Sequence, residues 1–402
     1  MSPSVPTMAQ SKGKSAAGVG GAVPFVHAAH EHIEQVRLGA VTAVPGPTTQ
    51  FFNLNVPSFG FIRNLLLIIT TSGGTAGPGV LAGDAPQNVF SELTFLDTNG
   101  APLYGPLAGW DAWCAHKYGG YTYNNDPTAQ PDALLTGVVT FAFILRIPIE
   151  INANSGFGSL GNMNSAASYK LRIGLNTSAN IWSTAPTTAP TVNVDVYMEC
   201  WTAPDAYDAF GRPQETEPPS HGTSQAWSKQ TVTLNAGANQ ILLTRMGNLI
   251  RNIIFVVRSN TGARQPLANL PTPLTVQWDS RQMFVEDVKI RRMYMAERYQ
   301  QLSPVAATTG PGIIANGPEN GLLVYSYMHD VLSHAGNGGV ALYIPTVQAT
   351  RFELDVTNAI VGTVDILVND VLPVEADPRR RYIETATTGF HPEVGTYNPR
   401  VQ

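Results

Sequence analysis

The chain has 402 residues, of which 43% are hydrophobic and 13% are charged, against roughly 25% charged residues in ordinary globular proteins. Its length allows two or three domains with substantial cores. With 37 Gly and 30 Pro, the composition is typical of a turn-rich all-β protein. The net charge of −5 excludes a protein whose main task is to coat nucleic acid, because that task needs a basic face.

Arginine outnumbers lysine 18 to 6. Interface centres are depleted of charge and favour Arg over Lys, so this composition indicates a surface that is largely covered by a partner. A GC-rich genome that favours Arg codons would give the same count.

The N-terminal stretch "MSPSVPTMAQSKGKSAAGVGGAVP" contains no apolar core of the kind that a secretory signal needs. We therefore predict a flexible arm over residues 1–44. Three histidines follow closely in "HAAHEHIE", His27, His30 and His32, but their spacing matches no common zinc motif. A short amphipathic helix, or an arm ordered against a neighbouring subunit, is favoured over a metal site.

The segment "GFIRNLLLIIT", residues 60–70, is repeated as "GNLIRNIIFVV", residues 247–257, with Ile62 aligned on Ile250. A membrane-spanning helix needs about 20 predominantly apolar residues, and the run after Arg63 has only five. A short β-branched run bounded by Gly and Thr predicts a buried strand. Both copies are therefore predicted to be core strands.

Three further strand-like blocks recur in the same order. They are "TFAFI" from Thr140 with "VYSYM" from Val324, "KLRIGLN" from Lys170 with "RFELDVT" from Arg351, and "VDVYME" from Val194 with "VDILVN" from Val364. The separation between the two copies shortens gradually along the chain, and loops of different length explain that drift. Four ordered pairs indicate an internal duplication.

Local patterns add strands, a hairpin and one helix. In "VVTFAFILRIPI" a period of two places six apolar residues on one face, Val139, Phe141, Phe143, Leu145, Ile147 and Ile149. Asn99-Gly100 predicts a hairpin turn within "ELTFLDTNGAPLYG". The second half contains one helix candidate, "VEDVKIRRMYMAERYQQL", whose early acidic and late basic residues suit the helix dipole. The first half offers no strong helix candidate.

No catalytic, cofactor-binding or metal-ligating residue is predicted. The sequence lacks a Gly-x-Ser-x-Gly elbow, a Walker-type loop and a GxGxxG motif after a strand. Other polar groups have simpler explanations. Glu286 and Asp287 are adjacent in sequence, so on a strand they would face opposite sides. Asp205 and Asp208 belong to the linker, and Asp97 and Asn99 flank a turn. Two basic clusters, around Arg291 and over residues 379–381, are expected to be solvated or to form intersubunit salt bridges.

Two other features have a structural and a functional interpretation. Cys114 and Cys200 do not make a disulfide framework and are predicted to be small buried hydrophobes. An aromatic cluster in "GWDAWCAHKYGGYTYNND" contains Trp110, Trp113, Tyr118, Tyr121 and Tyr123. It could line a sugar-binding groove or pack as a loop onto the sandwich or a neighbouring subunit.

The predicted fold is all-β, with two tandem eight-stranded jelly rolls and a few short helices. We place the flexible arm at 1–44, the first jelly roll at 45–205, a polar Pro/Gly-rich linker at 206–225, the second jelly roll at 226–375 and a tail at 376–402. Short strands spread over roughly 150 residues per half favour a jelly roll over a propeller or solenoid.

This layout resembles the double jelly-roll major capsid proteins of tectivirus-like phages, with adenovirus hexon as a distant relative. The residues that carry the resemblance are "GFIRNLLLII" followed by "NVFSELTFLDTNG", then "GVVTFAFILRIPI", and the Arg-containing helix before "GLLVYSYMHD". The resemblance implies a homotrimer of pseudo-hexagonal outline that tiles an icosahedral virion shell over an internal membrane. It also implies penton or vertex proteins as partners, assembly in the host cytoplasm, and neither an enzymatic activity nor sequence-specific nucleic-acid binding.

Two other functions remain open at this stage. One is a secreted or surface double β-sandwich that binds or hydrolyses glycans, which would need buried acids between the rolls and a raised pKa at one of them. The other is a minor virion spike protein. The chain shows no signal peptide or disulfide set for the first, and a slender spike has little use for an internal duplication.

Overall fold

The computed structural model describes residues 22–32, 37–119, 134–135, 137–152, 155–219, 223–266, 269–279, 281–299, 320–327, 343–346, 351–358 and 360–371. Within these residues the chain folds as two similar β-rolls, which we call roll 1 (strands between residues 37 and 201) and roll 2 (strands between residues 225 and 371). No helix in this described part of the chain is long and apolar enough to cross a membrane.

The first half of the chain contains thirteen strands and three helices among the described residues. In order these are α1 (Phe25–Ala28), β1 (Glu31–His32), β2 (Arg37–Ala43), β3 (Gln50–Asn55), β4 (Phe61–Ser72), β5 (Val80–Leu81), β6 (Phe90–Leu96), β7 (Pro102–Leu107), α2 (Gly109–Tyr118), β8 (Leu134–Leu135), β9 (Phe141–Pro148), β10 (Leu160–Gly161), β11 (Lys170–Leu175), α3 (Ser178–Ile181), β12 (Trp182–Thr184) and β13 (Thr191–Trp201). A 3-10 turn at Gln87–Val89 precedes β6.

The second half contains nine strands and one helix among the described residues. They are β14 (Gln225–Leu234), β15 (Gly237–Leu242), β16 (Leu249–Ser259), β17 (Leu274–Trp278), β18 (Arg281–Glu286), α4 (Val288–Tyr299), β19 (Leu322–Ser326), β20 (Ile344–Pro345), β21 (Phe352–Asn358) and β22 (Gly362–Val371).

Each roll is built on two sheets of four principal strands. We name them sheet 1A (β2, β13, β4, β9) and sheet 1B (β3, β11, β6, β7) in roll 1, and sheet 2A (β14, β22, β16, β19) and sheet 2B (β15, β21, β17, β18) in roll 2. The short strands β1, β8 and β10 also pair into the first sheet of roll 1, β20 pairs into the first sheet of roll 2, and β5 and β12 form a separate two-stranded sheet. Strand order and connectivity are the same in both rolls. Sheets 1B and 2A also join, because β7 and β14 pair in parallel at Tyr104 and Trp227.

The duplication extends to the register of individual residues. Ile68 pairs with Asp195 between β4 and β13, and Val256 pairs with Asp365 between β16 and β22. These are the correspondences that the alignment of Ile62 on Ile250 and of "VDVYME" on "VDILVN" predicts. The pairing of "KLRIGLN" with "RFELDVT" is also correct, since both strands lie second in sheets 1B and 2B. The repeats therefore correspond to strands at the same place in each roll.

One of the four repeat pairs needs a correction in register. "TFAFI" and "VYSYM" belong to the equivalent strands β9 and β19, but Tyr325 pairs with Ile253 as Ile147 pairs with Leu65. The residue equivalent to Tyr325 is therefore Ile147 and not Phe141. The alternation of aromatic and small residues led to the wrong register. A shift by an even number of residues keeps each side chain on the same face of the sheet, so the alternation fits both alignments.

The predicted arm over residues 1–44 is wrong for its described part. Residues 37–43 form β2 of sheet 1A, and residues 22–32 dock onto roll 1 of the same chain. Phe25 is buried against Phe61, with ring centroids 5.3 Å apart, and β1 pairs with the end of β13. Residues 1–21 and the predicted tail at 376–402 lie outside the described residues.

The helices give one confirmation and one correction. The candidate in the second half is helical at Val288–Tyr299, as predicted. Roll 1 has an equivalent helix, α2, that the sequence did not reveal. All ten residues of α2 are buried, so it lacks the polar face on which recognition of an amphipathic helix depends.

Candidate assembly surface

The repeated Ile-Arg-Asn triplet forms the same β-bulge in both rolls. Asn64 and Ile62 pair with adjacent residues of β13, leaving Arg63 as the extra residue. Arg251 is the extra residue between Ile250 and Asn252 in the same way. A bulge redirects a side chain out of the regular alternation, which is why an arginine can sit inside an apolar strand.

The two bulged arginines have different partners. The Arg63 Nε donates to Glu150 Oε2 at 2.7 Å, and its guanidinium lies 4.1 Å from the centre of the Trp201 ring. Burial raises the pKa of Glu150, and the positive charge of Arg63 opposes that rise. Arg63 thus forms an ion pair within roll 1.

Arg251 instead connects the two rolls. Its side chain is completely buried and donates to the Gly119 carbonyl at 3.0 Å, Asn369 Oδ1 at 3.1 Å and the Tyr343 hydroxyl at 3.1 Å. Gly119 ends α2 in roll 1, whereas the other two belong to roll 2. The guanidinium therefore holds the end of α2 against sheet 2A.

Helix α2 lies at the contact between the rolls, which we call the seam. The outer face of sheet 2A supplies six residues that join one continuous apolar core with α2 and roll 1, namely Trp227, Ile254, Val256, Leu322, Val324 and Leu367. The Arg264 guanidinium stacks 4.0 Å from the centre of the Trp110 ring of α2. Sheet 2A is consequently buried on both faces.

Charged groups from both rolls are paired along the seam. Lys229 Nζ lies 2.7 Å from Asp111 Oδ2 and 3.2 Å from Asp365 Oδ2. Asp84 contacts both Arg258 and Arg264 at 2.6 Å. Burial raises the pKa of Asp111, and Lys229 opposes the rise. Roll 1 thus contributes the acids Asp84 and Asp111, and roll 2 contributes the three bases together with one acid, Asp365.

The outer face of sheet 1A repeats the outer face of sheet 2A but is partly exposed. The strand registers match Leu66, Ile68, Ile144 and Tyr197 with the seam residues Ile254, Val256, Leu322 and Leu367. All four roll 1 residues are only partly buried. The same registers match Arg37 with Lys229 and Asp195 with Asp365, and Arg37 and Asp195 form a salt bridge too.

Helix α4 repeats α2 but also presents an exposed side. Arg146 N–H of β9 donates to His116 Nδ1 of α2, and the equivalent Val324 N–H of β19 contacts Met295 Sδ of α4. This correspondence matches the buried Asp111, Cys114 and Ala115 with Ile290, Met293 and Tyr294. These three are 48%, 50% and 39% exposed and lie at helical spacing i, i+3, i+4.

The structure separates the residues that the sequence suggested for other chemistry. His27 and His30 are exposed on the docked N-terminal segment, and the His32 side chain lies outside the described part. Among the residues that the structure describes, no three His, Cys, Asp or Glu side chains are placed to hold a metal ion.

Trp113 and Tyr118 are buried in the shared core, whereas the largely buried Trp110 borders a cleft at the seam, where the Arg264 guanidinium covers its ring. Tyr121 and Tyr123 lie outside the described residues. Cys114 and Cys200 are buried, as predicted, and burial raises the pKa of the Cys200 thiol to about 11.

Sequence reasoning did not single out the charged seam residues. Asp111 lies in a helix that was not predicted, and Lys229 lies near the start of the predicted second jelly roll, in β14. Two signals were present, because the Ile-Arg-Asn triplet and the Val-Asp pair of "VDVYME" and "VDILVN" are repeated. A charge repeated inside an apolar strand indicates a residue with a fixed structural partner.

Comparison with known proteins identifies the fold. No protein-family model and no curated protein matches the sequence. A chain from the atomic structure of Sulfolobus Turreted Icosahedral Virus shares 11% identity over 90% of this chain and 98% of its own, with a TM-score of 0.60. A chain of the PBCV-1 virus capsid shares 11% identity over 85% and 94%, with a TM-score of 0.55.

The major capsid protein from bacteriophage PM2 shares 9% identity over 85% of this chain and 97% of its own, with a TM-score of 0.51. The chain therefore has the double jelly-roll fold predicted from its sequence.

Proposed function

We propose that this protein is a major capsid protein that assembles into an icosahedral virion shell. One observation carries the proposal. The two surfaces that pack together in the seam each occur a second time in the chain, and the second copies are partly exposed. Within one chain, roll 2 covers α2 of roll 1 through an apolar sheet face. The same face on roll 1 and the same helix on roll 2 carry partly exposed apolar residues, which is the surface that a repeating assembly uses.

Three copies of the chain form the assembling unit in this proposal. Three chains contribute six similar rolls, so a trimer presents a nearly six-fold outline to a hexagonal lattice position. Permanent interfaces of this kind commonly bury about 2000 Å² or more and are more apolar than transient ones. The low charged fraction of 13% agrees with that use of the surface.

The remaining partners follow from the same proposal. Neighbouring trimers, penton or vertex proteins and an internal membrane are the partners of a double jelly-roll shell, and the virion is its location. The proposal assigns no enzymatic activity and no sequence-specific nucleic-acid binding.

The side chains at the seam do not favour glycan hydrolysis, although carboxylic acids are present there. A cleft of about 730 Å³ is lined by Asp84, Asp111 and Asp365 together with Lys229, Arg258 and Arg264. Each of these acids lies within 3.2 Å of a basic side chain. A general acid needs a carboxyl group that can release its proton to the substrate, whereas these carboxylates neutralise bases.

The test is assembly of the purified full-length protein, followed by light scattering and electron microscopy over a range of protein and salt concentrations. We expect a species near three times 43.1 kDa that resists salt and closed shells of regular diameter at high concentration. A protein that stays monomeric throughout and forms no shell with its co-expressed virion proteins would refute the proposal.

A further inference from the structure

We infer that Lys229 and Asp111 condense to an amide bond that joins the two rolls of one chain covalently, and that Asp365 carries the protons of this reaction. The three side chains meet at the seam, where Lys229 Nζ lies 2.7 Å from Asp111 Oδ2 and 3.2 Å from Asp365 Oδ2. All three belong to the same chain, so the reaction needs no contact between copies and goes beyond the proposed function.

The reaction is a condensation of an amine with a carboxylic acid. Lys229 Nζ forms a bond to Asp111 Cγ, and the bond between Cγ and one of the two Oδ atoms breaks. The Lys229 ammonium group carries three hydrogens. One stays on the amide nitrogen, and the other two leave with the released oxygen as water. The ion pair has the same atoms and the same net charge as the amide and water, so no other reactant is consumed.

Asp111 is placed to accept the amine. Its side chain is only 1% exposed, and among the described residues no group donates a hydrogen bond to its Oδ1. Burial raises the pKa of Asp111, and the charge of Lys229 opposes that rise. A raised pKa favours the uncharged carboxyl group, which a nitrogen nucleophile attacks more readily than a carboxylate because no negative charge repels the attacking electron pair.

Lys229 must lose a proton before it can attack. Burial disfavours the charged forms of both Lys229 and Asp111, whereas the nearby carboxylates hold the pKa of Lys229 above its ordinary value. Transfer of one proton from the ammonium to the Asp111 carboxylate gives a neutral amine beside a neutral acid. A buried site favours such a neutral pair more than water does. The reactive form is therefore a minor one that burial makes accessible.

Asp365 is placed to move the remaining protons. A carboxylate that takes a proton from the attacking nitrogen and returns it to the leaving oxygen acts as a general base and then as a general acid. Thr231 Oγ1 donates to Asp365 Oδ1 at 2.6 Å, and Arg258 Nε lies 3.2 Å from Asp365 Oδ2, so this carboxylate is held in place. The seam cleft is lined by all three reacting side chains, which gives the released water a path to solvent.

The choice of lysine at position 229 favours a reaction over a simple ion pair. Arginine suits a buried ion pair better, because its guanidinium is more weakly hydrated and offers a fork of donors, and this chain has 18 Arg and 6 Lys. The duplicate of Lys229 in sheet 1A is Arg37, which pairs with Asp195. The position on α4 that corresponds to Asp111 is Ile290. A lysine therefore stands in the copy that faces a second acid, and arginine stands in the copy that does not.

The bond would act as a covalent brace between the rolls. It would connect α2 to β14 through residues 118 positions apart. A cross-link that closes a long loop stabilises a protein mainly by restricting the unfolded chain, as a disulfide does. The two rolls of each chain would then stay joined even where the seam is strained.

The test is the mass of the full-length protein, measured intact by electrospray mass spectrometry in denaturing solvent. We expect a species that is lighter than its sequence by one water molecule. Proteolysis followed by tandem mass spectrometry should give a branched peptide in which the Lys229 side chain is joined to the Asp111 side chain. Circular dichroism before denaturation verifies that the measured protein is folded.

Three variants assign the reaction to these side chains. Lys229→Arg keeps the positive charge but cannot condense, so it should have the full mass of its sequence. Asp365→Asn keeps the reacting pair and should lose water about 100-fold more slowly, because the proton carrier is absent. The matched control is Arg37→Lys, which places a lysine beside Asp195 at the exposed duplicate position and should give no branched peptide with Asp195.

A folded original chain that keeps the full mass of its sequence and gives no branched peptide would overturn this inference. Loss of one water molecule by Lys229→Arg at the original rate would overturn it too, because other residues would then be responsible. Unchanged condensation in Asp365→Asn would overturn the role of Asp365. If Lys229→Arg does not fold, the branched peptide of the original chain decides alone. None of these results depends on shell formation, so the proposed function is tested separately.

Discussion

Sheets 1A and 2A have the same strands, the same register and the same bulge, but they lie in different surroundings. Sheet 2A is buried on both faces, and β16 is buried at nine consecutive positions, from Leu249 to Val257. In sheet 1A, β13 alternates between buried and partly exposed residues over most of its length. The duplication therefore fixes the architecture, whereas the neighbouring layer decides which side chains are buried.

This difference shows how one sequence pattern can serve two purposes. A strand buried on both faces reads as a continuous apolar run, and a strand buried on one face alternates. β4 keeps an apolar run, with Leu66 and Ile68 on the outer face, although solvent reaches that face in the single chain. An apolar run retained on a partly exposed strand is evidence that a partner covers it.

The largest effect is expected at the charged pair that the two sheets share. Lys229→Met should destabilise the protein by about 4 kcal/mol, because it leaves the buried Asp111 without its cation and leaves Asp365 with Arg258 alone. The equivalent change, Arg37→Met, removes a pair that is exposed on both sides and should leave the unfolding midpoint unchanged. Urea unfolding followed by tryptophan fluorescence measures both variants.

Both variants are compared at one protein concentration at which light scattering shows a monomer. Equal destabilisation by the two changes would show that the seam does not differ from the free face of sheet 1A. The difference in burial that we assign to the charged pairs of sheets 1A and 2A would then be wrong.

A smaller effect is expected at the bulged arginines. Arg251→Lys should cost about 3 kcal/mol, because a single ammonium group cannot replace a guanidinium that donates to Gly119, Asn369 and Tyr343. Arg63→Lys should cost about 1 kcal/mol, because the lysine retains an ion pair with Glu150. Thermal unfolding at fixed protein concentration compares them, and a larger loss for Arg63→Lys would contradict the assignment of Arg251 to the contact between rolls.

The sequence predicted the duplication because strands buried on at least one face have a short, regular period. Four repeat pairs selected the correct strands, but the bulges at Arg63 and Arg251 were not predicted from the repeated triplet. Helix α2 could not be predicted, since its burial on all sides depends on roll 2, which begins more than a hundred residues later. The seam charges were hidden for the same reason, because Asp111 and Lys229 meet only after the rolls have packed.

The smallest effect distinguishes the helices by pH. His116 of α2 is buried, and burial together with the charge of Arg146 lowers its pKa from 6.5 to about 3, whereas the equivalent residue of α4 is Met295. Between these values the unfolded chain binds a proton that the folded chain does not, so stability falls as the pH decreases below 6.5.

Acidification from pH 7.5 to pH 5 should therefore remove about 2 kcal/mol through His116. His116→Met should abolish this contribution. On acidification from pH 7.5 to pH 5, the free energy of unfolding of the variant should therefore rise by about 2 kcal/mol relative to that of the original chain. The reciprocal change Met295→His should add a second pH-dependent loss in roll 2, since Met295 is equally buried. Urea unfolding at both pH values gives the comparison, and parallel pH profiles for the original chain and His116→Met would show that His116 is charged in the folded protein.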